Sequence, residues 1–216
     1  MEVAIAGGHG KIARLLGRQL AAEDHDVRGL IRNPDHERDL HADGIEPVLC
    51  DLENADPREV IAAVSGAEAV IFAAGAGPGS GAERKQSMDL GGAVKLIAAA
   101  QADGIRRYLM VSSIGAAHPP PPGEGEVFGE YLRAKAGADR ALAESGLEYT
   151  IVRPGPLTDG PPTGRVQLGA ELGRREIPRA DVAAILHACL FQPHTVDWTF
   201  DAIGGEHPID EALAAL

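Results

Sequence analysis

Short β-rich runs alternate with longer helical patterns from the first residues onward, and this order limits the chain to few architectures. The runs "EVAIA" (2–6), "DVRGLI" (26–31), "IEPVLC" (45–50), "EAVIFAA" (68–74), "RRYLMVSS" (106–113) and "LEYTIVR" (147–153) are separated by helical patterns at 10–23, 34–42, 56–65, 82–103 and 127–145. Parallel strands joined by right-handed helical crossovers satisfy that order, with helices covering both faces of the sheet. The expected fold class is therefore α/β, a doubly wound parallel sheet that binds its ligand at the carboxyl ends of the strands. After "RPGP" the rhythm breaks into "LTDGPPTGRVQLGAELGRRE". A helix from about 178 to 191, a strand near "WTFDAI" and a helix from 208 complete the layer. The stretches 114–126 and 155–176 are rich in Gly and Pro, follow predicted strand ends and read as loops that cover a substrate. No shift in composition marks a boundary, so residues 1–216 read as a single domain.

Composition narrows the function classes. The formal net charge of −12 works against binding polyanions, so no nucleic-acid partner and no anionic membrane surface is expected. No apolar run reaches the roughly 18 residues that a spanning helix needs. The start "MEVAIAGGHG" lacks the basic residues and long apolar centre of a signal peptide, which makes a cytoplasmic location the default. Cys50 and Cys189 stand far from any CxxC spacing and read as two buried thiols. The eight histidines never fall into a ligand spacing, so no metal is expected.

The first strand empties into "AGGHGKIARLL", where Gly7, Gly10 and Ala13 have the spacing G-x-x-G-x-x-A. Strand, tight glycine turn and helix N-terminus together make a pyrophosphate site, because free N–H groups and the helix dipole face the ligand. Gly7, His9, Gly10, Lys11 and Ile12 are the cofactor-facing positions of this turn. The second strand ends "GLIRNPD", without the acid that would hydrogen-bond the ribose of NAD. Arg32, with Asn33 beside it, can instead grip a 2′-phosphate, so NADP(H) is preferred over NAD(H). Asp51 and Leu52, directly after the third strand, sit where an adenine edge would lie. Ala73, Ala74 and Gly75 end the fourth strand with small residues that a cofactor backbone can pass.

These residues resemble the atypical and extended members of the short-chain dehydrogenase/reductase superfamily, in particular the small NAD(P)H-binding, NAD-dependent epimerase/dehydratase-like proteins. The resemblance covers nearly the whole chain and rests on "GGHGKIAR", "LIRNP", "CDLEN", "VIFAAGAG", "YLMVSS", "YLRAKAGADRALAESGLEYTIVRPGPLTD" and "RADVAAIL". It implies a Rossmann domain with strand order 3-2-1-4-5-6 and a seventh strand. It also implies a reducing site made of a serine at the end of the fifth strand, here Ser113 or its neighbour Ser112, with Tyr131 and Lys135. Pro154 and Gly155 match the turn that meets the nicotinamide carboxamide in related enzymes. Ala13 departs from the usual third glycine, a change that still allows close packing of helix on strand.

Tyr131 and Lys135 lie four apart on a predicted helix and so share a face. A lysine ammonium about 4 Å from a phenol, at an effective dielectric near 20, is worth up to roughly 4 kcal/mol, or about three pKa units. That would bring a tyrosine near neutrality, where it can exchange a proton with a carbonyl undergoing hydride transfer. The expected function is an NADP(H)-dependent oxidoreductase of a small carbonyl or related substrate, acting as monomer or homodimer. Two other readings stay open: a non-catalytic NADP-binding sensor, and a flavin or biliverdin-type reductase that does not use the tyrosine. A nucleotide-sugar epimerase fits less well, since such relatives are longer and carry a larger C-terminal substrate domain.

Overall fold

The computed structural model describes residues 1–216 apart from Pro78 and Gly125, and of Glu126 the backbone alone. The first half runs β1 (Glu2–Ala6), α1 (Lys11–Ala22), β2 (Asp26–Ile31), a 3-10 turn (Pro34–His36), α2 (Glu37–Ala42), β3 (Glu46–Leu49), α3 (Pro57–Val64) and β4 (Ala69–Phe72). Next comes one long helical run: α4 (Ala82–Arg84), a π-helical segment (Lys85–Gly92) and α5 (Ala93–Asp103). β5 (Arg107–Val111), α6 (Glu126–Ala143) and β6 (Glu148–Pro154) follow. The last part holds β7 (Leu157–Thr158), β8 (Arg165–Gly169), β9 (Ile177–Pro178), α7 (Arg179–Phe191), β10 (Trp198–Gly204), β11 (His207–Pro208) and α8 (Ile209–Ala214).

Apolar side chains on both faces make the central strands what they are. Every residue of β4 is buried, as are Val3 to Ala6 of β1, the pattern of strands with helices on both sides. Successive residues of β1 point to opposite faces. Val3 and Ile5 pack with Leu16 and Leu20 of α1 and with Val182 and Ile185 of α7. Ala4 and Ala6 pack with Val60 and Val64 of α3, Leu96 of α5 and Leu142 of α6. Burial of each such Leu, Ile or Val contributes about 1.5–3 kcal/mol, so the two faces hold the sheet between them. Locally, α3 begins where Asp56 and Glu59 form a reciprocal capping box around Pro57.

The sheet order is β11-β8-β10-β6-β5-β4-β1-β2-β3. Strands β3 through β6 and β10 are mutually parallel, which gives the expected doubly wound Rossmann-type order with β10 as the seventh strand. The order reverses between β1 and β4, and the crevice beyond their carboxyl ends is where such sheets bind ligands. Registers Ala6 with Leu30 and Ala6 with Phe72 bring those ends level.

The stretch 155–176 departs from the loop expected there. It contains β7 and β8, and β8 lies antiparallel on β10 with Gly169 opposite Asp201 and Val166 opposite Gly204. Five residues of "RVQLG" are too few to show a period, and only the neighbouring strands make them extended. The stretch 114–126 is without regular structure up to Glu124, and Gly125 within it lies outside the described residues. Arg133 of α6 ties it down, donating to the carbonyls of Pro120 (2.8 Å) and Pro121 (2.7 Å). Among the described residues no helix is long and apolar enough to cross a membrane.

Candidate functional site

A cleft of about 1170 Å³ opens over the carboxyl ends of β1 to β5. Such a volume exceeds the ordinary small-ligand pocket of about 300–1,000 Å³, so it has room for an extended ligand. Its lining runs from Arg32, His36, Asp51 and Leu52 at one end, past Gly7, His9, Gly10, Ile12, Ala73, Ala74 and Gly75, to Ser112, Tyr131 and Lys135 at the other.

The glycine turn is built for close approach. Gly7 has φ +77°, and a Cβ on it would stand 2.6 Å from Ala74 Cα, so a side chain there would push the ends of β1 and β4 apart. The Gly10 N–H donates to Gly7 O at 2.7 Å, closing the turn. Gly10 then caps α1 without any capping side chain, leaving the first-turn N–H groups to a ligand. This cradle, together with the length of the cleft, fits an NAD(P) pyrophosphate.

Arg32 lines the far end with more than half its side chain exposed, and its Nη1 lies 3.9 Å from Glu53 Oε2. Glu53 also accepts from Ser87 Oγ and from Arg84 Nε (3.2 Å), and these bonds, Ser87 foremost, hold its carboxyl below the usual range. Arg32 is thus only loosely paired and keeps its donors for an anion. Cys50, also on this wall, has its thiol pushed up to about 11 by burial and the nearby Glu59 and Asp51.

At the other end Lys135 is almost wholly buried. Its Nζ donates to Val111 O at 3.0 Å and lies 3.4 Å from Asp89 Oδ1. Asp89, fully buried, accepts from the Ala76 N–H at 3.1 Å through its other oxygen. The lysine expected beside the phenol is not a lone cation, because a buried carboxylate pairs it. Lys135 Nζ stands 5.9 Å from the Tyr131 ring centroid, with a carboxylate between it and any role as sole countercharge. Lys85 Nζ is nearer the ring, at 5.3 Å, and donates to Gly77 O at 2.9 Å. Both Lys85 and Asp89 come from the π-helical segment, whose wider turn directs them inward.

Ser112 is the serine that meets the cleft. It is buried, and its Oγ faces Asp139 without making a hydrogen bond of normal geometry. Ser113, one residue on, turns its hydroxyl to Ile114 O at 3.3 Å, because neighbouring residues of an extended chain point to opposite sides. Burial pushes the Asp139 carboxyl up, against the opposing pull of the Ser112 hydroxyl, of Arg153, whose Nε donates to it at 2.8 Å, and of Lys135.

Other sequence candidates are used differently. The Lys11 side chain leaves the cleft for Asp159, at 2.5 Å, and Asp159 also accepts from Arg179 at 2.7 Å, strapping the glycine turn to the segment after β6. Asn33 caps the 3-10 turn by accepting from the Asp35 N–H at 3.1 Å. Pro154 and Gly155 are taken up by backbone bonds at the carboxyl end of β6, where Gly155 N–H donates to Ala202 O at 2.9 Å and Pro154 O accepts from Ile114 N–H at 2.9 Å. Sequence reasoning missed His36, Lys85 and Asp89. The one available signal was the pair Gly91-Gly92 inside a helical pattern, where a Cβ on Gly92 would meet Met88 and Leu52.

Fold and cleft define a Rossmann-type dinucleotide-binding protein. A family described as NAD(P)H-binding matches residues 7–193, and the chain belongs to that family. Fold and family make it an NAD(P)-dependent oxidoreductase-type enzyme acting on a small molecule. It is 40% identical over 217 residues to YhfK of Bacillus subtilis, described as an uncharacterized sugar epimerase, with 100% of each chain covered. A solved Bacillus halodurans structure, provisionally described as an NAD-dependent epimerase/dehydratase, is 37% identical with TM-score 0.91, covering 100% of both chains. ChuY of Escherichia coli O157:H7, described as an anaerobillin reductase, is 27% identical with TM-score 0.80, covering 94% of this chain and 97% of the other.

Proposed function

We propose that the protein is an NADP(H)-dependent reductase of a small carbonyl or related acceptor. The observation that carries this reading is the single cleft that joins Arg32, free to meet a 2′-phosphate, to Ser112, Tyr131 and Lys135 some way along the same wall. Gly7, Gly10 and the start of α1 would hold the pyrophosphate, and Asp51 and Leu52 the adenosine. NADPH held by these residues would supply the hydride that reduces the acceptor. Tyr131 then delivers its hydroxyl proton to the acceptor oxygen, and solvent returns that proton to the phenolate. Ser112 lines the same wall, and its hydroxyl, which faces Asp139 in this structure, would turn to donate to the same oxygen and fix its place. Asp89 holds Lys135 in position beneath this site, and Val111 O fixes the ammonium's direction.

The test is NADPH oxidation with a panel of aldehydes, ketones and quinones, comparing wild type with Tyr131→Phe. Loss of about 100-fold or more in kcat, with NADPH binding kept, is the result expected of a general acid. Tight NADPH binding without turnover on any acceptor would sink the reductase reading in favour of a sensor.

One observation favours a second reading. Because Lys135 is paired with Asp89, its ammonium is not an uncompensated cation at the phenol, and a reductase whose acceptor needs no protein proton donor would use the same cleft. The likeness to ChuY, described as an anaerobillin reductase, points the same way. Turnover that survives Tyr131→Phe unchanged would select it.

A further inference from the structure

The stacked pair His9 and His36 has no place in the scheme above. The two imidazoles lie 3.6 Å apart and within 8° of parallel. They come from different elements: His9 from the glycine turn after β1, His36 from the 3-10 turn after β2. Both line the cleft beside Arg32. His9 Nε2 lies 2.8 Å from Asp39 Oδ2 of α2, and Asp39 is also held by Arg14 of α1 at 3.1 Å. His9 is thereby anchored from behind, and its face sets the position of His36.

We propose that His36, held in place by His9, reads the cofactor's 2′-phosphate together with Arg32 and makes the preference for NADP(H) over NAD(H) depend on pH. This rests on the NADP reading of Arg32 and extends it. Arg32 alone offers one exposed guanidinium that a carboxylate, Glu53, already faces at 3.9 Å. A dianionic phosphate at that end gains from a second cation, and imidazole is the side chain that can supply one near neutral pH.

The groups that face His36 are Arg32 and Asp35 from its own connection, His9 from the glycine turn, and Asp39 from α2 with Arg14 behind it. Burial, then His9 and Arg32, push the His36 pKa below the ordinary imidazole value, while Asp39 and Asp35 oppose them. Without a phosphate the ring is therefore mostly neutral at pH 7. A phosphate arriving beside it favours the charged form, so NADPH binding takes up a proton and tightens as pH falls. NAD(H) carries no phosphate there and takes up none. His36→Gln keeps a polar side chain that cannot be charged.

The experiment is fluorescence titration of the full chain with NADPH and with NADH from about pH 6.5 to 8.5, in wild type, His36→Gln and Arg32→Ala. In wild type the NADPH-over-NADH preference is expected to grow about five- to tenfold on going from the top to the bottom of that range, the ceiling for one coupled proton being tenfold per pH unit. In His36→Gln it stays at the high-pH value throughout. Calorimetry of NADPH binding in two buffers of different ionisation heat should show net proton uptake in wild type that His36→Gln removes. A wild-type preference that is flat with pH, or a slope that survives His36→Gln, overturns the proposal. The two failures are separable: NADPH preference lost in Arg32→Ala but flat with pH refutes only the role of His36. Equal affinity for NADPH and NADH at every pH refutes the NADP reading itself.

Discussion

Replacing Lys135 by methionine separates the structural work of this residue from any catalytic work. The substitution keeps most of the side-chain volume and removes the charge. It leaves the fully buried Asp89 with one hydrogen bond, from Ala76 N–H, and nothing opposite its other oxygen. Removing one partner of a buried ion pair costs about 3–5 kcal/mol. An independent limit agrees: the protein can escape by folding with the carboxyl protonated, which for an ordinary carboxylic acid costs about 4 kcal/mol at pH 7. That escape becomes easier by about 1.4 kcal/mol for each pH unit of acidification, so the defect should shrink to roughly 1–2 kcal/mol near pH 5. For a chain of this size about 4 kcal/mol lowers Tm by roughly 8–16 °C. Urea unfolding followed by far-ultraviolet circular dichroism at pH 7 and pH 5 measures both quantities. The double variant Lys135→Met with Asp89→Asn removes both charges and should regain at least half of the loss. A cost for Lys135→Met below about 1 kcal/mol, or a defect that neither acid nor the second substitution relieves, would refute the buried-pair argument.

Three further outcomes follow from the same geometry. Gly7→Ala forces a side chain into φ +77° and to 2.6 Å from Ala74 Cα, which should lower stability by about 2–5 kcal/mol and weaken NADPH binding, as urea unfolding and fluorescence titration will show. Burial lifts the Cys189 thiol to about 12 and the Cys50 thiol to about 11, so neither should react with a disulfide reagent near pH 8 until the chain is unfolded, and rapid labelling of native Cys50 would contradict this. Burial tends to raise the Asp43 carboxyl, but hydrogen bonds from Arg14 and Arg18 outweigh it and hold its pKa below the ordinary value. Its contribution is therefore full above about pH 4 and lost as pH falls through the lowered value, so the stability gap between wild type and Asp43→Asn should close in acid denaturation below about pH 4.

Much of this arrangement is legible in residue order. Apolar runs such as "AVIF" between amphipathic helices permit little but a covered parallel sheet, and Gly7 and Gly10 after the first strand fall where only a tight turn at a helix N-terminus fits. Tyr131 and Lys135 do share the cleft, as their spacing predicts. The strand β8 was not visible, because five residues take their extended form from the neighbouring strands β10 and β11. Ser112 and Ser113 could not be told apart either, since which of two adjacent residues faces a cleft depends on how the chain leaves β5.

The sequence by itself determined the parallel sheet, the glycine turn at its switch point and the end of the second strand without an acid, because each depends on local periodicity or on the steric freedom of a few neighbouring residues. Only the tertiary structure decided that Lys135 answers first to Asp89, that Lys85 stands nearer the Tyr131 ring, and that His9 and His36 stack at the far end. These pairs are separated by 27 to 46 positions or arise from a π-helical turn, and no local pattern encodes which buried charges meet. The physical reason is that a buried charge takes whatever partner the packed chain brings within reach, and that reach is set by the whole sheet rather than by its neighbours in sequence.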